Sequence, residues 1–138
     1  MTIADMSEPV RQAAVIPIRD GQICLVTSSS GKRWVIPKGK IDPQHTPIEA
    51  ALVEAWEEAG LRGRVVGDAI GSYVYEKMGR SHHVMVFIME VTGVADEWPE
   101  QHRRQREWLD VDTAVSRVTD DGLPEMIRFA ANEAFAGV

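Results

Sequence analysis

This sequence predicts a single mixed α/β domain, and three observations carry that prediction. The chain has 138 residues, the size of one domain with one core. Short β-rich apolar runs fill its first and middle thirds, while the residues from Asp112 onward follow helical spacing. Between them, Thr46 to Gly60 reads as one central helix unusually rich in glutamate.

In chain order, residues 1–9 read as a flexible tail ending at Pro9, which leaves 10–138 as the domain. "QAAVIPIRDGQICLVTSS" reads as two strands around the turn signal Arg19-Asp20-Gly21. "RWVIP" is a brief strand running into "KGKIDPQHTP", a loop by its Gly and Pro content. The central helix starts where Thr46 can cap it and Pro47 takes the first helical position. It ends at Gly60, a normal C-terminal glycine. "RVVGDAIGSYVYEK" and "HHVMVFIMEVTGV" form a long hairpin across "MGRS", and "REWLDV" is a further short strand. "DTAVSRV" and "LPEMIRFAANEAFA" close the chain as helices.

Bulk composition excludes several classes of function. With 44% apolar and 26% charged residues this is an ordinary globular composition. No apolar run approaches the roughly 20 residues of a membrane span. "MTIADMSEPV" carries two acids and no base, so it is not a secretory signal. The one cysteine, Cys24, lies in an apolar run and reads as a buried packing thiol, with the reducing cytoplasm as default home. A net charge of −6 argues against a non-specific nucleic-acid or membrane binder, so neither partner is expected. A small anionic ligand is still compatible. "GKRWVIPKGK" gathers Lys32, Arg33, Lys38 and Lys40 without one acid.

The central helix raises an electrostatic question. Ile48, Ala51, Leu52, Ala55 and Ala59 share one face and should pack on a sheet. Glu54, Glu57 and Glu58 occupy an adjoining arc about 100° wide. Glu54 and Glu58 repel as an i,i+4 pair by a few tenths of a kcal/mol. Glu57 and Glu58 also oppose the macrodipole in the last turn, by roughly 0.3–1 kcal/mol each. A solvated acidic face is one reading, since exposed glutamates cost little. A bound divalent cation is the other, and the cationic loop just before the helix favours it. Carboxylate oxygens suit Mg2+ or Mn2+, and the lack of a cysteine cluster argues against structural zinc. Such an ion beside a basic loop points to a phosphate substrate shared between metal and protein.

"GKIDPQHTPIEAALVEAWEEAGL", Gly39 to Leu61, resembles the Nudix box, G-x5-E-x7-R-E-U-x-E-E-x-G-U with U aliphatic. Gly39, Glu54, Glu57, Glu58, Gly60 and Leu61 fall in register. "QAAVIPIR", "LVTSSSGKRWVIPKGK" and "DEWPEQHRRQREWLDVDTAV" are similar to the diphosphoinositol polyphosphate phosphohydrolase branch of that superfamily. The resemblance implies an α/β/α sandwich with a mixed central β-sheet. It implies a metal-dependent pyrophosphohydrolase that cleaves a diphosphate linkage in diphosphoinositol polyphosphates or dinucleoside polyphosphates.

Position by position, the resemblance makes Glu54, Glu58 and the Lys38 backbone carbonyl ligands of Mg2+ (or Mn2+). Glu57 becomes the base that activates water. It assigns Arg19, the serine run Ser28, Ser29 and Ser30, and His82 to substrate phosphates, while Arg33, Lys38 and Lys40 of the basic stretch and Arg106 of "REW" are phosphate candidates by their position. Each also has a plainer reading: surface charge, ordinary loop, structural histidine, surface ion pair. Two positions depart from the pattern, His45 for the first Glu and Val53 for the Arg. Those two residues brace loop against helix in the family, and both are replaced together, so neither is left as an unpaired charge. Two rivals follow: a nucleotide or RNA 5′-end pyrophosphohydrolase, and a catalytically silent module that binds a nucleotide. Homodimerisation is left open.

Overall fold

The computed structural model of the chain describes residues 8–136. Residues 1–7 of the expected tail lie outside them. Strand β1 (Val10–Arg19) turns into β2 (Gln22–Thr27) through Asp20 and Gly21, both at positive φ, 52° and 76°. That two-residue turn matches the twist of its strands and locks Arg19 opposite Gln22. Strands β3 (Trp34–Val35) and β4 (Lys38–Lys40) follow, then helix α1 (Pro47–Ala59). Strands β5 (Leu61–Lys77) and β6 (Arg80–Val94) form the long hairpin. Met78 and Gly79 alone make its turn, so Arg80 and Ser81 of the expected "MGRS" connection already belong to β6. Strand β7 (Arg106–Leu109) and helices α2 (Val111–Arg117) and α3 (Leu123–Ala136) complete the order. No helix among the described residues is long and apolar enough to cross a membrane.

The sheet runs β3-β2-β1-β6-β5, with β4 pairing on β1 and β7 on β2. It is mixed: β1 is parallel to β6 from Val10 opposite His82 to Ile18 opposite Glu90, and antiparallel to β2 and β4. Alternation along β1 assigns one side chain to each face in turn. Ala14, Ile16 and Ile18 meet Leu123, Ile127 and Ala130 of α3, and Ala114 of α2. Ala13 and Val15 meet Ala51, Ala55 and Ala59 of α1. These are the two cores of an α/β/α sandwich. Cys24 is fully buried in the second, where desolvation pushes its thiol up to about 12. A neutral, inert packing group is the result.

Two expectations need correction. Lys38–Lys40 is not loop but strand, pairing Ala14, Ala13 and Gln12 of β1. Gly39 hides the signal, because it looks like a breaker while serving close approach. A Cβ there would run into the carboxyl of Glu54. The second concerns α1. Ile48 is exposed, and the buried stripe is Ala50, Ala51, Ala55, Glu58 and Ala59. The helix is rolled by roughly 60° from its most apolar face, which carries Glu58 into the interior.

Candidate functional site

Helix α1 is held at both ends. Thr46 accepts the Glu49 N–H while Glu49 accepts the Thr46 N–H, a complete capping box at the start. At the far end every terminal carbonyl has a donor. Gly60 N–H, in left-handed conformation, bonds Ala55 and Trp56; Glu100 N–H bonds Glu57 at 3.0 Å. The Trp98 indole donates to Glu58 O at 3.0 Å, and Arg106 Nη1 to Ala59 O at 2.7 Å. The Arg106 guanidinium also stacks on the Trp98 ring, 4.1 Å from its centroid. The segment after β6, with Arg106 at the start of β7, thus satisfies the helix end that the glutamates leave electrostatically unfavourable.

Above this end opens a cleft of about 490 Å³. The sequence-assigned residues that line it are Ser28, Ser29, Ser30, Arg33, Lys38, Glu54 and Glu58. Glu58 is 5% exposed and is held by two groups, one of them braced in turn by Glu100. Lys38 N–H donates to its Oε1 at 3.2 Å, Arg104 Nη2 stands 3.4 Å from its Oε2, and Arg104 Nε is bound to Glu100 at 2.8 Å. Burial raises the Glu58 carboxyl to about 6 despite the opposing pull of Arg104 and Lys38. Glu54 goes further, to about 8, because burial, Glu58 and Glu57 all push it the same way. Burial also lowers the Lys38 ammonium, against the pull of Glu58 and Asp120. Two adjacent carboxylates that cannot both ionise cheaply are short of positive charge.

That deficit fits a divalent cation. No three His, Cys, Asp or Glu side chains among the described residues converge as a ready-made cage. Two carboxylates suffice for Mg2+, which keeps several waters and needs only one or two.

The other sequence-assigned residues stand elsewhere. Glu57 is half-buried on α1, next to Glu54 electrostatically but not lining the cleft. Lys40 is exposed at the end of β4. Arg19 lies at the β1–β2 turn, 3.9 Å from Asp20. His82 stacks on Tyr75 with ring centroids 4.7 Å apart, so it backs a lining residue without lining the cleft itself. Arg106 does not line the cleft, and its two terminal nitrogens donate to the backbone carbonyls of Ala59 and Ala95. Within the serine run, Ser28 Oγ accepts the Arg33 N–H and lies 3.2 Å from Ser30 Oγ, so these hydroxyls also shape the loop.

Sequence reasoning missed Gln12, Tyr75, Lys77, Glu100, Arg103 and Arg104, all in the cleft wall. The signal was "EQHRRQR", where acid and bases three and four apart announce a compact turn, Glu100 pairing with both Arg103 and Arg104.

The raised Glu54 carboxyl sets a pH dependence. A group held above its unfolded value binds its proton more tightly when folded, so its stabilising contribution is full below about 4.5 and lost towards about 8. The metal-free protein is expected to melt at progressively lower temperature across that window, and Glu54→Gln to flatten the slope. Glu49 and Asp110, held low by their capping bonds, act only in more acidic solution. Thermal unfolding in chelator against pH measures this; a melting temperature that climbs between pH 5 and 8 contradicts it.

Comparison with known proteins adds three findings. The family model described as NUDIX domain matches residues 9–131. Diphosphoinositol polyphosphate phosphohydrolase 3-beta of Bos taurus is 33% identical over 100 residues, 70% of this chain and 60% of that protein. Diphosphoinositol polyphosphate phosphohydrolase 2 of Mus musculus is 32% identical over 100 residues, covering 70% and 54%. The aligned region thus spans little more than half the length of these curated relatives. Among solved structures, a C. elegans Ap4A hydrolase binary complex superposes with a TM-score of 0.76 at 22% identity, covering 94% of this chain and 99% of that one. At that identity the match establishes the fold.

Proposed function

The chain belongs to the Nudix family, and from that premise we propose that it is a Mg2+-dependent hydrolase of a diphosphate linkage in a highly phosphorylated small molecule. Diphosphoinositol polyphosphates and dinucleoside polyphosphates are the substrate classes. The observation that carries this reading is the cleft, where two charge-deficient carboxylates face Arg33, Lys38, Lys77, Arg103 and Arg104. Polyphosphate needs that combination, because its charge must be met along its length. The names of the 33% and 32% identical relatives support the first class, and that of the C. elegans neighbour the second.

Glu54 and Glu58, with the Lys38 carbonyl, would hold the ion, Mn2+ being an alternative to Mg2+. When bound, the cation supplies positive charge to the diphosphate and to the carboxylates around it. The chain's own groups do the rest. Arg33, Lys77 and Arg103 grip phosphate oxygens, and Ser29 adds a donor. Arg104 and the Lys38 N–H keep Glu58 in one orientation. Glu57 accepts the proton of the attacking water as a new P–O bond forms and the bridging P–O bond breaks, releasing a phosphorylated product. A buried free thiol agrees with a reducing, cytoplasmic setting.

A substrate panel tests the reading: inositol pyrophosphates, dinucleoside polyphosphates, nucleoside triphosphates, ADP-ribose and 5′-triphosphorylated RNA, each with Mg2+, Mn2+ or chelator. Metal-dependent release of phosphate or of a phosphorylated product from the first two classes is expected. Preference for triphosphate ends moves the substrate to nucleotides or RNA. Affinity without turnover on every member sinks the enzyme reading in favour of a binding module.

A further inference from the structure

Three polar or charged residues are buried among those described: Thr27, Glu58 and Asp120. The first two have evident work. Thr27 Oγ1 accepts the Gln105 N–H at 3.0 Å, and Glu58 sits in the cleft. Asp120 comes from the connection between α2 and α3, far along the chain from every residue assigned to the site. Its side chain is 6% exposed, and Arg33 Nη1 stands 3.6 Å from its Oδ1. Its charge also acts on Lys38 and on Tyr73, whose buried hydroxyl has no partner. One buried carboxylate outside the cleft lining thus stands beside Arg33 and acts electrostatically on Lys38, both of which line the cleft.

Burying a carboxylate away from water is costly unless it is paired. Neither core needs one here, since the neighbouring positions Val118 and Leu123 are apolar and buried. Arg33 is half exposed, and an unanchored arginine loses much rotamer freedom when it binds an anion. A guanidinium anchored by a buried carboxylate keeps its other donors free for the cleft, at a smaller entropic loss on binding. We propose that Asp120 is a positioning residue for substrate phosphate, acting through Arg33. Its negative charge taken alone would weaken phosphate binding, so positioning and simple Coulomb repulsion predict opposite signs.

This rests on the polyphosphate reading, and its test separates the two. Affinity for inorganic tripolyphosphate in chelator is measured by calorimetry, alongside KM and kcat on the best substrate of the panel. Asp120→Asn should weaken tripolyphosphate binding and raise KM by about 5–20-fold, with kcat within about twofold. In an Arg33→Gln background the same change should add less than about twofold, because the group it acts through is gone. Asp120→Ser serves if the asparagine variant does not fold. Unchanged or tighter binding in the Asp120 variant overturns the proposal, as does an equal effect in both backgrounds. If tripolyphosphate binds as described but nothing on the panel is hydrolysed, the hydrolase reading fails while this one stands. Wild-type protein that binds no tripolyphosphate in chelator overturns this proposal alone, because the hydrolase reading is decided on the panel with metal present.

Discussion

Glu57→Gln is expected to lower turnover by about 10²–10⁴-fold while leaving the protein folded, the usual scale for loss of a general base. The substitution keeps shape and most hydrogen-bonding capacity but removes the proton acceptor. Substrate affinity should change far less, because the proposed phosphate grip lies with Arg33, Lys77 and Arg103, which line the cleft where Glu57 does not. Metal-free stability should hold or rise slightly, since Glu57 is one of the charges that push against Glu54. Steady-state kinetics, ligand titration and melting on this one variant check all three. A fully active protein would transfer the base role to Glu54 or Glu58, both of which line the cleft.

The largest stability effect is expected at Glu58. Its carboxylate is buried against Arg104 and the Lys38 N–H, so Glu58→Leu strips a partner from a part-buried cation and from a part-buried amide. Breaking a fully buried ion pair typically costs about 3–5 kcal/mol. Arg104 retains Glu100 and the Thr27 carbonyl, which brings the expected loss to about 2–3 kcal/mol. Glu54→Gln, one helical turn away, should instead stabilise the metal-free protein. Urea unfolding in chelator measures both. Two neighbouring acids of one helix moving in the same direction would contradict the contrast in their surroundings.

Most of the fold is legible in local chemistry. The cap at Thr46, the stop at Gly60 and the turn at Asp20-Gly21 are signals carried by two to four residues, and each lies where its chemistry demands. The three α1 glutamates are equally legible as a cluster, because a 3.6-residue period turns spacing into a face. What local reading cannot supply is the roll of α1 on the sheet. Its most apolar face includes Ile48, yet the packing buries Glu58, because Arg104 arrives to meet it from a distant segment. β4 was hidden for a related reason: Gly39 owes its place to a contact with Glu54, not to a turn. Arg104 and Asp120 are invisible for the same cause, since their partners lie far away in sequence. Arg106 shows a local signal with a second use, since its terminal nitrogens donate to backbone carbonyls at the end of α1 and beyond β6.

The parallel pairing of β1 with β6 also has a kinetic consequence. Val10 meets His82 and Ile18 meets Glu90 across about seventy residues of intervening chain, so the pairing must close a long loop before contacts reward it. The β1–β2 and β5–β6 hairpins close locally and can form early. The cleft draws Gln12 from β1, Glu54 and Glu58 from α1, Tyr75 from β5 and Arg104 from beyond β6. A complete cleft therefore belongs to the final step of refolding, and a chain that has built its hairpins but not joined β1 to β6 carries the glutamates without the walls that surround them.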